Sequence, residues 1–496
     1  MATDQQPSAL ADLESDLLDT PAAGTAAIRG SALRSAGYIL GVLLSLISVP
    51  LLIRHLGSVE YGRYVVAITL VTIVQGITDV GLGQIGVREY STRTGAEREW
   101  LMRNLLGVRI ALTGVGVALA TGFALIAGYG HAVVLGTFLA GVAMVLTVIQ
   151  GTFAVPLASR LRLGWVTALE LLRQALAVAA IVALVLAGSG LLPFLAAFVP
   201  VALIVLLATA LVIRGEVPLR PSFDREEWLT LMKAVLPFAA AVVIGTLYLR
   251  ITVLLLSLMS SGLQTGFYAT AFAVISVVIA IPALTVGSTL PVLARAARDD
   301  RERLGYVVER LTEVTLIVGV GLALGLALGA GFVVKVLSGG SGVPVTVLQI
   351  ESVAILTQFV GAPWQYGLLA LHRHRSLLIT SAAGLAASVI LSLILIPVLQ
   401  ARGAAIAFSG AEMLVAALCF VFLRNARPDL TFSLRVPARV FAGALLGILV
   451  ALLVPGLPSL PQAAIALVIY AAVLLLSGAI PRELTQALPR RAPAQP

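Results

Sequence analysis

The sequence predicts an all-α, polytopic membrane protein of about fourteen transmembrane helices, and three observations carry that prediction. Of its 496 residues 59% are hydrophobic and only 11% charged, against about 25% charged in soluble proteins. Apolar runs long enough to cross a hydrocarbon core about 30 Å thick, which takes roughly 20 helical residues, recur from Gly37 almost to the end. Most of the arginine and lysine falls in the gaps between those runs, and chiefly in every second gap. This pattern argues strongly against a soluble enzyme.

Residues 1–30 are polar and acidic, with Asp4, Asp12, Glu14, Asp16 and Asp19 and no basic stretch leading an apolar one. That argues against a cleaved signal peptide and predicts a disordered cytoplasmic tail. Apolar runs bounded by charge, Gly or Pro then begin near Gly37, Tyr64, Asn104, Ala132, Leu169 and Leu191, which makes residues 31–213 a first lobe of six helices. A charged linker spans 214–233. Runs near Ala234, Gly266, Val314, Val345, Ser376 and Gly403 make residues 234–424 a second lobe. Runs near Ala438 and Gln462 supply helices 13 and 14 within 438–481, before a polar tail at 482–496.

An even number of crossings puts both termini on one side, and the positive residues say which. With the N-terminus in the cytoplasm, 26 of the 33 Lys and Arg residues lie in inner segments. Only Arg54, Arg63, Lys335 and Arg402 lie outside, and Arg109, Arg173 and Arg250 fall within helices. Both termini are therefore expected in the cytoplasm, in a cell (cytoplasmic) membrane.

Several chemistries are set aside by what the residues are. The net charge of +9 comes from these scattered gaps and forms no basic domain with interleaved aromatics, so nucleic acid is not an expected partner. Cys419 is the only cysteine, which excludes internal disulfides and Cys-based metal clusters. His372 and His374 flank Arg373 in a short inner loop with no third ligand near, and read as contacts to membrane lipid. No G-x-x-x-x-G-K-[ST] loop is present, so neither ATP nor any cofactor is expected. Gly321, Gly325 and Gly329 recur every four residues, a spacing suited to close helix packing.

An internal echo links the halves: Gly62-Arg63-Tyr64 opens the second helix and Gly266-Phe267-Tyr268 opens the eighth, six helices later. Two six-helix repeats about an axis along the membrane normal are one known transporter plan. The stretch Arg54-His55-Leu56-Gly57, followed by Glu60-Tyr61-Gly62, also resembles the R-x-L-G-x-x-x-Y-G signature of bacterial polysaccharide flippases, Wzx-like proteins of the MATE/MurJ superfamily. Three more stretches agree in order: Asp79-Val80-Gly81-Leu82, the run from Leu236-Pro237 through Gly266-Phe267-Tyr268-Ala269-Thr270-Ala271 to Leu290-Pro291, and Gly403-Ala404-Ala405-Ile406-Ala407 before Glu412. The similarity runs from about Ser31 to Arg424.

The resemblance implies two MATE-like lobes around a cavity and a non-enzymatic role. It implies a flippase that moves a polyprenyl-diphosphate-linked oligosaccharide from the inner to the outer leaflet by alternating access, for a surface polysaccharide such as the O-antigen of lipopolysaccharide. Membrane lipids, a polysaccharide polymerase and chain-length proteins are then the expected partners, with H+ or Na+ as a coupling ion. A peptidoglycan-precursor lipid flippase and a multidrug or cation antiporter of the same superfamily share the architecture. A membrane glycosyltransferase or polymerase is a further alternative, disfavoured by the shortness of every outer loop.

Charges inside spans cost about 3 kcal/mol or more, so they face a cavity or a partner. Arg250 stands in the seventh helix between Leu249 and Ile251. It is read as a cavity-facing contact for the diphosphate, or as an arginine paired with Glu351 at similar depth or reaching the outer interface. The family often has an acid just after this position, where Thr252 stands here, which weakens an ion-coupling role at that point. Arg54 and Arg63 at the outer mouth, and Arg34 before the first helix, are further candidates for the head group, or serve to solvate a turn and anchor a helix. Asp79 and Arg109 are read as a structural ion pair or a coupling site, Glu170 and Arg173 as a pair three residues apart on one helix. Glu412 is read as a group that protonates during transport, or as an acid hydrogen-bonded across a helix interface.

Overall fold

The computed structural model describes residues 21–78, 81–160, 162–213, 220–299, 301–340, 342–430, 433–453 and 456–479. Among these residues every regular element is a helix, and mean apolarity sets which of them can cross a membrane. In chain order they are α1 (Pro21–Thr78), α2 (Leu82–Thr92), α3 (Gly95–Ile126), α4 (His131–Phe153), α5 (Val155–Ser159), α6 (Leu163–Leu186), α7 (Leu191–Ala196), α8 (Phe198–Val212) and α9 (Arg225–Met259). They continue with α10 (Gly262–Gly287), α11 (Leu290–Asp299), α12 (Arg301–Ser338), α13 (Val345–Ala370), α14 (His374–Leu399), α15 (Ala401–Ala426), α16 (Arg435–Leu452) and α17 (Ser459–Leu476).

Thirteen helices among the described residues are long and apolar enough to span a bilayer, so the chain is a multi-pass membrane protein. The long α1 is two helices laid end to end: at Gly57 the backbone leaves the helical region, with φ 70° and ψ 171°. Only glycine adopts that conformation at no steric cost. Dividing α1 there restores the fourteen helices that the apolar runs predict.

Most helices begin earlier than the apolar runs do. α3 starts at Gly95 rather than near Asn104, α9 at Arg225 rather than near Ala234, and α12 at Arg301 rather than near Val314. The reason is that charged residues end a hydrophobic run without ending a helix; the extra turns are its polar, water-exposed ends. At the N-terminus α1 is already helical from Pro21, so the disordered tail expected over 1–30 is at least ten residues too long; residues 1–20 and 480–496 lie outside the described residues. Two short amphipathic helices, α2 and α11, have no counterpart in the expected list. α2 buries Leu82, Gly86 and Tyr90, one residue per turn. α11 buries Leu293 and Ala296 and exposes Arg295 and Arg298.

The chain divides into two compact units. The first comprises residues 1–55 and 67–246. Its core on the α3 side joins Leu101, Leu105 and Val108 to Leu82, Tyr90, Leu231 and Val235. The expected linker over 214–233 is, from Ser222 on, docked against α3 and the turn before it: Ser222 N donates to the Arg103 carbonyl (2.9 Å), Asp224 N to Asn104 Oδ1 (2.9 Å), and Arg93 Nη1 to Glu227 Oε1 (2.7 Å).

The second unit comprises residues 56–66 and 247–496. Its core joins Val253, Tyr268, Phe272, Ile355, Phe359 and Phe408 from α9, α10, α13 and α15. The last two helices pack on α12. Gly321, Gly325 and Gly329 form the groove that receives Tyr470, Leu467 and Ala463 of α17, and the Tyr470 hydroxyl donates to the Ile317 carbonyl at 2.8 Å. The four-residue glycine spacing is therefore a helix-packing device, as its spacing predicts.

Candidate functional site

The motif at the tip of the first helical pair builds a strap. Leu56–Val66 belongs to the second unit although α1 continues on both sides of it within the first. Gly62 lies against Gly266: a Cβ on Gly62 would stand 2.6 Å from the Gly262 carbonyl oxygen and 2.7 Å from Gly266 N. A Cβ on Gly266 would stand 1.7 Å from the Ser58 carbonyl oxygen. The two glycines of the internal echo thus meet backbone to backbone, where no side chain fits. Around them Tyr61 and Tyr64 stack at 6.2 Å.

The charged residues of the same motif take separate tasks. Arg63 pairs with Glu60 at 2.5 Å and is half exposed. Arg54 is exposed. In the first unit, His55 Nε2 bonds the Ser189 carbonyl at 2.7 Å and its ring packs on Phe194. Arg34 lies in α1, and its side chain is outside the described residues.

Arg250 is the cation best placed for chemistry. It sits ten residues into the span Ala240–Met259, about 15 Å deep at 1.5 Å per residue. Its guanidinium carbon is 5.9 Å from the centroid of the Phe272 ring, within reach of a cation–π attraction. It is half-buried. The pair with Glu351 offered above as one reading does not form: among the described residues no acid lies within 4 Å of Arg250. The Tyr268 phenol neighbours both groups instead. Glu351 is fully buried, and neither of its carboxyl oxygens nor the Tyr268 hydroxyl completes a hydrogen bond of good geometry. Thr252, which replaces an acid of the family pattern, bonds Ser388 Oγ at 2.9 Å in the buried seam between α9 and α14.

A second acid and phenol lie further along the same unit. Glu412 is buried beside Tyr248 of α9 and Gln358 of α13, so it joins three helices. Neither Tyr248 nor Tyr268 is a candidate site residue by sequence alone. The signal was present only for Tyr268, which stands in the quoted Gly266-Phe267-Tyr268 stretch. In the first unit Arg109 is buried and Nη1 donates to Thr152 Oγ1 at 3.2 Å; Asp79, its expected partner, lies outside the described residues. Glu170 and Arg173 do pair, through Nε to Oε2 at 3.0 Å and a second contact from Nη2 to Oε1.

Residues 27–297 match the family model described as "Polysaccharide biosynthesis protein". No curated protein matches the chain by sequence. Among solved structures the fold is similar to "Lipid II flippase MurJ, inward closed conformation", with TM-score 0.76 and 14% identity over 92% of this chain and 100% of that one. It is also similar to an inward-facing multidrug resistance MATE family transporter of the MOP superfamily, with TM-score 0.61 and 13% identity over 78% of this chain and 98% of that one. An outward-facing MATE family transporter aligns with TM-score 0.51 and 14% identity over 82% and 96%. At these identities the likeness is one of fold.

Proposed function

The chain belongs to the polysaccharide biosynthesis protein family, and on that premise we propose that it is a flippase for a polyprenyl-diphosphate-linked oligosaccharide. It carries the head group from the inner to the outer leaflet of the cytoplasmic membrane, by alternating access, with both termini in the cytoplasm. The observation that supports this reading is Arg250: a guanidinium in mid-span, half-buried, with no acid within ion-pair distance among the described residues. Such a charge is costly in a bilayer, and a ligand bearing phosphate offsets that cost through paired, charge-assisted hydrogen bonds. A cationic drug would be repelled from the same place.

Energy comes from the membrane potential in this reading. A diphosphate with about two negative charges moves outward down an inside-negative potential, gaining about 2.3 kcal/mol per charge per 100 mV. Glu412 then serves as an acceptor held among three helices rather than as a proton carrier. Glu412→Gln keeps the size of the side chain and an acceptor oxygen beside Tyr248, so export by that variant is expected within twofold of wild type. A tenfold loss would instead assign ion coupling to Glu412.

Deleting the gene tests the substrate class. Loss of one surface polysaccharide, with its lipid-linked unit retained on the inner leaflet, is the expected result. The likeness in fold to a lipid II flippase over 92% of the chain favours a second reading, transport of a peptidoglycan precursor. That reading predicts loss of viability and accumulation of the precursor in the same strain.

A further inference from the structure

The first unit contains a cavity of about 440 Å³ whose polar lining comes from Gln150, Thr167, Glu170, Arg173 and Gln174, beside the bare backbone of Gly151. Its volume falls within the range of about 300–1,000 Å³ usual for small-molecule sites. The Glu170–Arg173 pair lies within the span Leu163–Leu186, yet its side chains are 47% and 43% exposed. Charged residues in spanning helices face a cavity or a partner rather than lipid, and both residues line this cavity.

The side chains are held, not loose. Gln174 Nε2 donates to Glu170 Oε1 at 2.9 Å, and Gln150 Nε2 donates to Thr209 Oγ1 at 3.1 Å. Gln174 itself is wedged over Gly41 of α1, where a Cβ would stand 1.9 Å from its Oε1. The Arg109 guanidinium stands behind the wall, 3.8 Å from where a Cβ on Gly151 would be.

The chemistry of this lining selects among ligands. One acid and one base, paired with each other, leave the cavity surface without net charge, so neither a drug cation nor a diphosphate finds an unbalanced partner there. The lining offers both donors and acceptors, and Val87, Val166 and Leu169 add apolar surface beside them. A neutral ring with hydroxyls on its edge and C–H groups on its faces matches both features. We propose that this cavity is a sugar subsite, which holds one or two rings of the oligosaccharide through Glu170, Arg173 and Gln174. The proposal rests on the flippase reading above.

The test uses the full-length protein in a deletion strain and, purified, in nanodiscs. Gln174→Ala and the double variant Glu170→Ala/Arg173→Ala are expected to lower polysaccharide export at least tenfold, with membrane levels unchanged. Binding of bare polyprenyl diphosphate to the purified variants is expected to stay within twofold of wild type. The charge swap Glu170→Arg/Arg173→Glu separates a ligand contact from a structural pair: export stays low if the pair touches sugar and recovers if the pair only braces the helix. Recovery on swapping, wild-type export by the variants, or equal loss of bare diphosphate binding would each overturn the subsite while leaving the flippase reading in place. Failure of the wild-type gene to restore export would overturn both.

Discussion

Arg250→Ala is expected to reduce export to background while the protein inserts and accumulates normally. Hydrogen bonds to a charged group contribute about 1.5–3 kcal/mol each, so losing a two-pronged contact to diphosphate lowers transport roughly 100-fold or more. Insertion has no reason to suffer, because the substitution removes a mid-span charge that costs about 3 kcal/mol to bury. Arg250→Lys keeps the charge and loses the planar fork, so an intermediate rate is expected. The measurement is export in the deletion strain, normalised to the amount of protein in the membrane. Full export by Arg250→Ala would remove the residue from the site.

The second large effect concerns the strap. Gly62 and Gly266 meet where no Cβ fits, and if the proposed alternating access releases the strap from α10, this contact parts once in each cycle. Gly262 lies beside it, with a Cβ position 3.6 Å from Val59 Cγ1. A cysteine at position 59 carries its sulfur at the level of Cγ1, so the two side chains are near enough to be bridged. In a Cys419→Ser background, Val59→Cys/Gly262→Cys is expected to lose more than nine-tenths of its export when oxidised and to regain it on reduction. Equal export in the two states would show that the strap stays closed throughout transport. Gly266→Leu, which places a branched side chain against the Ser58 carbonyl, is expected to fail in either redox state.

These two sites differ in how much of them can be read from the residues alone. Arg250 is conspicuous as a lone charge in an apolar run, and the paired glycine motifs are visible as an echo six helices apart. That Gly62 touches Gly266 is a tertiary fact, and so is the convergence of Tyr268 and Glu351 from helices 83 residues apart along the chain. The number of spans follows from hydropathy because the bilayer imposes a length. Helix starts do not, because charge marks the edge of the hydrocarbon rather than the end of hydrogen bonding. A local signal existed for α9: Asp224 Oδ1 accepts from the Glu226 and Glu227 amides at 2.9 and 3.1 Å, an N-cap readable from the Asp-Arg-Glu-Glu order. The pairing of Glu170 with Arg173 follows from their three-residue spacing. The cavity they line needs α4, α6 and α8 to be placed first.

Everything turns on whether a diphosphate head group crosses the bilayer on this protein. The most direct measurement reconstitutes the purified chain in vesicles that contain a polyprenyl-diphosphate-linked oligosaccharide, and follows access of its sugar to a lectin that cannot cross the membrane. Wild type is expected to speed this access, more so with an imposed potential, and Arg250→Ala is expected to match protein-free vesicles. Equal rates with and without wild-type protein would contradict the flippase reading.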